Sequence, residues 1–310
     1  MESPGRPTYD VIIIGGSYAG LAAALQLGRA RRSVLVVDGG QRRNRFVSAS
    51  HGFLGQDGTS PNEIAAKGKA EVLAYPTVRW REALVTELHA TSRGFVVQSA
   101  AGQHDAKRLI VATGVIDELP SIAGVAERWG KSVFPCPYCD GYELARGRLG
   151  VLATSLLSIH YAQVVADWSA PGQTTLFLDE RVEPSPEQLV ELGAAGIAIE
   201  REKVVAAEGP EPGIVLRLQD GRTSALAGLF VMPQTRLPGG FAEQLGCELE
   251  QGPEGPFFKT DASKETSVPG VFACGDAALA KRSVSFAVAD GVRAGIGAHQ
   301  SLVFRPDGAR

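Results

Sequence analysis

The chain has 310 residues, a length that favours two domains over one, and its 44% hydrophobic and 21% charged residues are those of a globular protein. A net charge of −3 without any long Lys/Arg run argues against a nucleic-acid partner. No apolar run approaches the roughly 18–20 residues of a membrane span.

The polar start, Met1–Pro7, leads straight into a strand, so no signal peptide and a cytoplasmic location are expected. Tyr9–Ile14 is a short run rich in β-branched residues, as expected of a buried parallel strand. The turn Gly15-Gly16-Ser17-Tyr18-Ala19-Gly20 follows, then an Ala/Leu-rich helix over Leu21–Arg31 and a strand, Ser33–Val37, ending in Asp38. Strand, glycine turn, helix, strand and acid make up the dinucleotide-binding βαβ fingerprint. Its glycines let a pyrophosphate approach the backbone, and its carboxylate takes a ribose hydroxyl. Ser17 stands where the second glycine usually sits, and serine is small enough to keep that approach open.

Ser60-Pro61-Asn62-Glu63 reads as a helix start, with an N-cap serine and a proline at the first helical position. Glu82–Ala90, Gly94–Ser99 and Arg108–Val111 read as strands, the last running into Ala112-Thr113-Gly114. Cys136-Pro137-Tyr138-Cys139-Asp140 then places two cysteines at C-x-x-C spacing beside a carboxylate. Such a pair can close a small disulfide ring, and the acid can hand a proton to a leaving thiolate. By itself the spacing also suits half a zinc site. Arg148–Ala153 and Thr174–Leu178 are further strands, with helices over Leu156–Trp168 and from Ser185-Pro186-Glu187 onward. Asp220-Gly221 signals a hairpin, and Pro233–Gly240 reads as a return linker. Val271–Asp276 is a strand ending in Gly-Asp, followed by a last helix over Ser283–His299. Cys247 and Cys274 lie in apolar contexts and read as core residues. Trp129, Trp168, Tyr142 and Tyr161 read as packing residues. His51 is a candidate acid/base, or a loop histidine that only hydrogen-bonds.

Four markers in fixed order span nearly the whole chain: Gly15–Gly20 with Asp38, Ala112–Gly114, Cys136–Asp140 and Cys274-Gly275-Asp276. Together they resemble the low-molecular-weight thioredoxin reductases. The resemblance implies an α/β protein with two Rossmann-like, three-layer ββα dinucleotide-binding domains, working as a homodimer. An FAD domain (residues 1–116 and 241–310) is interrupted by a smaller pyridine-nucleotide-type domain (117–240) that carries the redox pair. It implies that Gly15, Gly16, Ser17, Ala19 and Gly20 cradle the FAD pyrophosphate and that Asp38 binds the adenosine ribose. Gly39, Gly40, Gln41, Asn44, Ala112, Thr113 and Gly114 complete the cofactor site. Gly275 and Asp276 hold the ribityl chain, and the helix start at Arg282-Ser283-Val284 faces the flavin pyrimidine. Cys139 is the flavin-side thiolate, Cys136 the interchange thiol and Asp140 the acid/base. A metal is not implied.

Two stretches depart from that family. Where its NADPH turn has glycines, this chain reads Ala153-Thr154-Ser155-Leu156-Leu157-Ser158. Where it places a His-Arg-Arg cluster on the 2′-phosphate, this chain reads Leu178-Asp179-Glu180, whose carboxylates repel a phosphate. NADPH is therefore not the expected electron donor. Arg42–Phe46, His51–Gly58 and the Cys-Pro-Tyr-Cys pair resemble the dithiol-oxidising members of the superfamily, which favours oxidation of a substrate dithiol, a protein such as thioredoxin or a small molecule. The alternatives are a reductase fed by ferredoxin or NADPH, and a flavin-binding sensor without turnover.

Overall fold

The computed structural model describes residues 8–305, so the expectation for Met1–Pro7 lies outside the described residues. These residues form two compact units. The second comprises Phe46–Thr59 and Asp117–Gln234, and the first comprises the rest.

The first unit opens with β1 (Thr8–Ile14), α1 (Tyr18–Arg29), β2 (Val34–Asp38), α2 (Pro61–Leu73), β3 (Val78–Glu82), β4 (Val85–Thr91), β5 (Gly94–Ser99) and β6 (Gly102–Val111), and β7 (Ile116–Glu118) follows. Val11–Ile14 of β1 and Val34–Val37 of β2 are buried on both faces, as their unbroken apolar runs require. Each such side chain contributes about 1.5–3 kcal/mol on burial, so the strands carry the stability and leave the turns at their ends available for binding. β1 lies between β2 and β6, parallel to both, and β3 flanks β2. The first half of β6 pairs antiparallel with β5, while its last residues pair parallel with a strand from far along the chain, described below.

The second unit contains β8 (Val133–Phe134), α3 (Pro137–Leu144), β9 (Leu149–Leu152), α4 (Leu157–Ala166), β10 (Thr174–Phe177), α5 (Pro186–Ala194), β11 (Ile197–Glu200), β12 (Val204–Glu208), β13 (Ile214–Leu218), β14 (Thr223–Leu226) and β15 (Gly228–Val231). Five strands form a parallel sheet in the order β11-β10-β9-β15-β8, and β12-β13-β14 form an antiparallel sheet. The α5 start is a full capping box of Ser185 and Gln188. The expected Asp220-Gly221 turn joins β13 to β14.

The chain closes with β16 (Gln234–Arg236), α6 (Phe241–Leu245), β17 (Leu249–Gly252), β18 (Gly255–Phe258), β19 (Val271–Ala273) and α7 (Val284–Phe304). β19 is the distant partner of β6, in register Val271 with Leu109. Gly291 and Gly295 of α7 lie against Ala19 and Ala23 of α1, where any Cβ would collide with the α1 main chain. The α/β class with parallel Rossmann-like sheets is as expected.

Several boundaries differ from the sequence reading. Residues 46–59, placed there with the first segment, belong to the second unit, because Phe46 and Val47 close over Gly130. Residues 235–240, read as the end of the middle segment, belong to the first unit, where the Thr235 N–H donates to the Glu254 carbonyl at 2.6 Å. The supposed linker contains strand β16. Helix α1 starts at Tyr18, ahead of the expected Leu21, and stops at Arg29 because Arg31 turns left-handed at φ 59°. The strand expected over Glu82–Ala90 is two strands, β3 and β4, broken between Glu82 and Val85.

Candidate functional site

In the first unit the turn from β1 to α1 is built for close approach. Gly15 has φ 99°, and a Cβ there would collide with the Ala112 carbonyl; one on Gly20 would meet the carbonyl of Gly15. Ser17 occupies the N-cap position of α1 but makes no side-chain cap, and no acidic residue stands in the first turn. The positive end of the helix is thus left open to an anion. Asp38, at the end of β2, accepts the Gly16 N–H at 3.0 Å. Beside it lies a cavity of about 450 Å³ lined by Gly16, Asp38, Gly39, Gly40, Arg42, Asn62, Lys69 and Trp80 among others. Gln41 is exposed nearby. Asn44 donates to the Tyr18 hydroxyl at 3.0 Å.

A second group of expected residues meets around the short 3-10 turn Gly275–Ala278 in the same unit. The Gly275 N–H donates to Asp290 of α7 at 3.0 Å, and Lys264 pairs with that carboxylate at 3.2 Å. Asp276 accepts from Arg43 at 3.1 Å. Arg282 reaches the Asp276 carbonyl at 3.3 Å and Glu254 at 2.8 Å, and the Ser283 hydroxyl caps α7 by accepting the Phe286 N–H, just before Val284 begins the helix. Cys274 is fully buried, and burial pushes its thiol far above the ordinary range. Burial also raises the half-buried Cys247 thiol, which lies 3.5 Å from the Thr266 hydroxyl. Both behave as core residues.

In the second unit the Cys-x-x-Cys pair forms the start of α3. Cys136 is the extended N-cap residue, Pro137 takes the first helical position, and the N–H groups of Cys139 and Asp140 bond back to the Cys136 carbonyl. Cys136 and Cys139 are present as thiols, and Cys139 Sγ donates to Cys136 Sγ at 2.6 Å. That bond, with backbone N–H groups of the helix start, holds the Cys136 thiol below its ordinary range. Asp140 goes the other way: burial, then the charge of Glu143, pushes its carboxyl up to about 7, against an opposing pull from His51. His51 lies in the 46–59 loop, its Nε2 3.6 Å from Glu143 and its Nδ1 3.6 Å from Asp57. Trp168 stacks edge-on against Tyr138 at 4.9 Å and fills the space a Cβ on Gly141 would need. Tyr142, read as a packing residue, is instead 85% exposed. Tyr161 is a packing residue whose hydroxyl donates to the Pro135 carbonyl at 2.9 Å.

The turn between β9 and α4 of this unit contrasts with the one between β1 and α1. The Ser158 hydroxyl accepts the N–H groups of Thr154 at 3.0 Å and Ser155 at 3.4 Å, and the Thr154 hydroxyl donates to the Met232 carbonyl at 2.7 Å. The N–H groups of Thr154 and Ser155 are thus already engaged, and Leu156 and Leu157 stand exposed beside them. After β10, Asp179 is buried. It accepts from the Val204 N–H at 2.9 Å and from Arg181 at 2.6 Å, in a left-handed pair with Glu180.

The sequence model of the pyridine nucleotide-disulphide oxidoreductases matches residues 9–291. The chain belongs to that family. It is 33% identical to thioredoxin reductase sirT of Leptosphaeria maculans, over 93% of each chain. Among solved structures it resembles an oxidoreductase of Agrobacterium tumefaciens, at 49% identity, TM-score 0.91 and coverage of 96% and 99%. It also resembles a putative thioredoxin reductase, TrxB, of Bacillus anthracis, at 32% identity, TM-score 0.89 and the same coverage.

This pyridine nucleotide-disulphide oxidoreductase is accordingly a thioredoxin reductase-like enzyme, and its family is one of FAD-binding flavoproteins. The first unit fits that cofactor. Besides the open α1 turn, Asn44 Oδ1, Thr113 Oγ1, Trp80 Nε1 and Arg42 Nε are buried without hydrogen-bond partners among the described residues. Unpaired polar atoms on the turn-flanking Asn44 and Thr113 and on the cavity-lining Trp80 and Arg42 suit a polar ligand there. Gly114, at φ 65°, closes the short turn Ala112-Thr113-Gly114 that follows β6. Trp80, Asn62, Lys69, Lys264, Asp290 and Glu143 were not singled out from the sequence. Trp80 sits inside an alternating strand pattern, and the others look like ordinary surface polar residues until the fold puts Asn62 and Lys69 at the cavity, Lys264 on Asp290 and Glu143 beside His51. No helix among the described residues is long and apolar enough to cross a membrane, and no three His, Cys, Asp or Glu side chains among them cluster to hold a metal.

Proposed function

We propose that the protein oxidises a substrate dithiol through a Cys136–Cys139 disulfide and FAD, without NADPH. The observation that carries this reading is the β9–α4 turn. Its Thr154 and Ser155 N–H groups are taken by the Ser158 hydroxyl, whereas in the β1–α1 turn Asp38 holds the Gly16 N–H and the Ser17 side chain makes no cap at the start of α1. One chain thus has one nucleotide cradle. The buried, internally bonded Asp179 adds to the case, since the Arg181 that follows β10 is already on Asp179 and the Arg201 that follows the neighbouring β11 is on Glu183.

Gly15, Gly16, Ser17, Ala19 and Gly20 would hold the FAD pyrophosphate. Asp38 to Gln41 and the adjoining cavity would hold its adenosine, with Asn44, Ala112, Thr113, Gly114, Gly275, Asp276, Arg282, Ser283 and Val284 along the remainder. Bound there, FAD supplies a two-electron acceptor for the cysteine pair. In the oxidised pair, a substrate thiolate attacks Cys136 Sγ and the Cys136–Cys139 bond breaks, its electron pair leaving on Cys139. The second substrate thiol then displaces Cys136 as the substrate disulfide forms. Two electrons and two protons pass from substrate to the cysteines. The depressed Cys136 thiol makes it a good leaving group in that second step. Asp140, protonated near neutrality, can donate to a departing thiolate.

The named relatives favour a second reading, in which electrons run outward to a protein disulfide such as that of thioredoxin. We take the enzyme to be a cytoplasmic homodimer in either case. Oxygen uptake on adding dithiothreitol, with no nicotinamide present, tests the leading reading. It is expected in the FAD-loaded enzyme and lost in Cys136→Ser. Uptake that survives the substitution, or that requires NADPH, would refute it.

A further inference from the structure

Asp140 and Glu143 stand three residues apart in α3, a spacing that puts both on one helix face. The 46–59 loop comes to that face. Its ends are joined by the Ser50–Thr59 bridge and by the Gly58 N–H donating to the Ser50 carbonyl at 2.8 Å. Asp57 accepts the Gly52 N–H at 2.8 Å, which shapes the turn that carries His51. The imidazole then spans two carboxylates, at 3.6 Å from Asp57 of the loop and 3.6 Å from Glu143 of the helix. The charged groups acting on Asp140 are thus Glu143 from its own helix and His51 from the loop packed against it, while Asp140 in turn acts on Cys136.

We propose that Glu143 and His51 are a positioning pair for Asp140. The Glu143 carboxylate favours the protonated, donating form of Asp140, and the His51 ring, held between Asp57 and Glu143, favours its ionised form. This rests on the reading of Asp140 as the acid of the disulfide exchange, but not on the direction of electron flow or on the absence of NADPH. A purely structural role does not account for the arrangement equally well, since partly exposed ion pairs at such distances add little to stability. Their electrostatic effect on a buried neighbour is larger, because the medium between them is less polar.

The two charges act in opposite senses, so their removal must act in opposite senses. In FAD-loaded, oxidised protein carrying 13Cγ-aspartate, the Asp140 signal is the one missing from Asp140→Asn. Its titration midpoint is expected near 7 in the unsubstituted enzyme. Glu143→Gln should lower it and His51→Gln should raise it, each by roughly half a pH unit or more. Glu143→Asp should restore part of the shift. The alkaline limb of flavin reduction by dithiothreitol, where Asp140 loses its proton, should move the same way in each variant. Midpoints that stay put, or that move in the same direction in both variants, overturn the proposal. Opposite shifts in an enzyme that dithiothreitol fails to reduce would leave the pair standing and refute the dithiol-oxidase reading instead.

Discussion

Asp140 is where burial and charge meet most sharply. Its carboxyl titrates near 7 instead of the ordinary 3.8, first because it is buried and then because Glu143 shares its helix face. The folded state therefore holds this proton more tightly than the unfolded chain does. Stability linked to the group falls as pH rises from about 4 to about 7, and the whole cost is present above that range. Asp140→Asn removes the charge and hence the cost. Its melting temperature should match the unsubstituted enzyme's below about pH 4 and exceed it at about pH 8, while thiol–disulfide turnover slows. Thermal unfolding across pH checks this, and an equal offset at both ends would contradict it. The residues of this chemistry were legible, since Cys136, Cys139 and Asp140 form a contiguous motif. His51 was legible as a candidate acid/base, but its contact with Glu143 was not, because a loop far away in sequence carries the histidine and only tertiary packing delivers it.

At the scale of elements, two strand–turn–helix units of the same kind have diverged. In the β1–α1 turn the glycines bring main chain against main chain, and the first helical turn lacks a side-chain cap. In the β9–α4 turn a serine one residue into the helix folds back on the preceding N–H groups. Ser158→Ala should free both N–H groups and cost about 0.5–1.5 kcal/mol per lost bond, seen as a lower denaturation midpoint. NADPH affinity should not appear, because Leu156, Leu157 and Asp179 remain. Unchanged stability, or new NADPH binding, would contradict that reading of the turn. The lost glycines and basic residues were visible as letters. What replaced them was not, because a serine's choice between solvent and backbone depends on the local turn geometry.

At the scale of the whole molecule, the order of markers gave the α/β class and the cofactor, because strand, turn and helix repeat with recognisable chemistry. Less was legible at the borders. Phe46 and Val47 look like ordinary loop residues, yet they take residues 46–59 into the second unit by closing over Gly130. Strand β16 hid within what reads as a proline- and glycine-bounded linker. The buried Lys264–Asp290 pair under Gly275 carried no motif at all. The claim that unites the two units is that one nucleotide cradle serves both halves of the redox cycle. Anaerobic flavin absorbance of the FAD-loaded enzyme, with NADPH added first and dithiothreitol second, tests it most directly. The expected result is no change with NADPH, bleaching with the dithiol and recovery in air. Prompt bleaching by NADPH would contradict the claim and make the enzyme an NADPH-fed reductase.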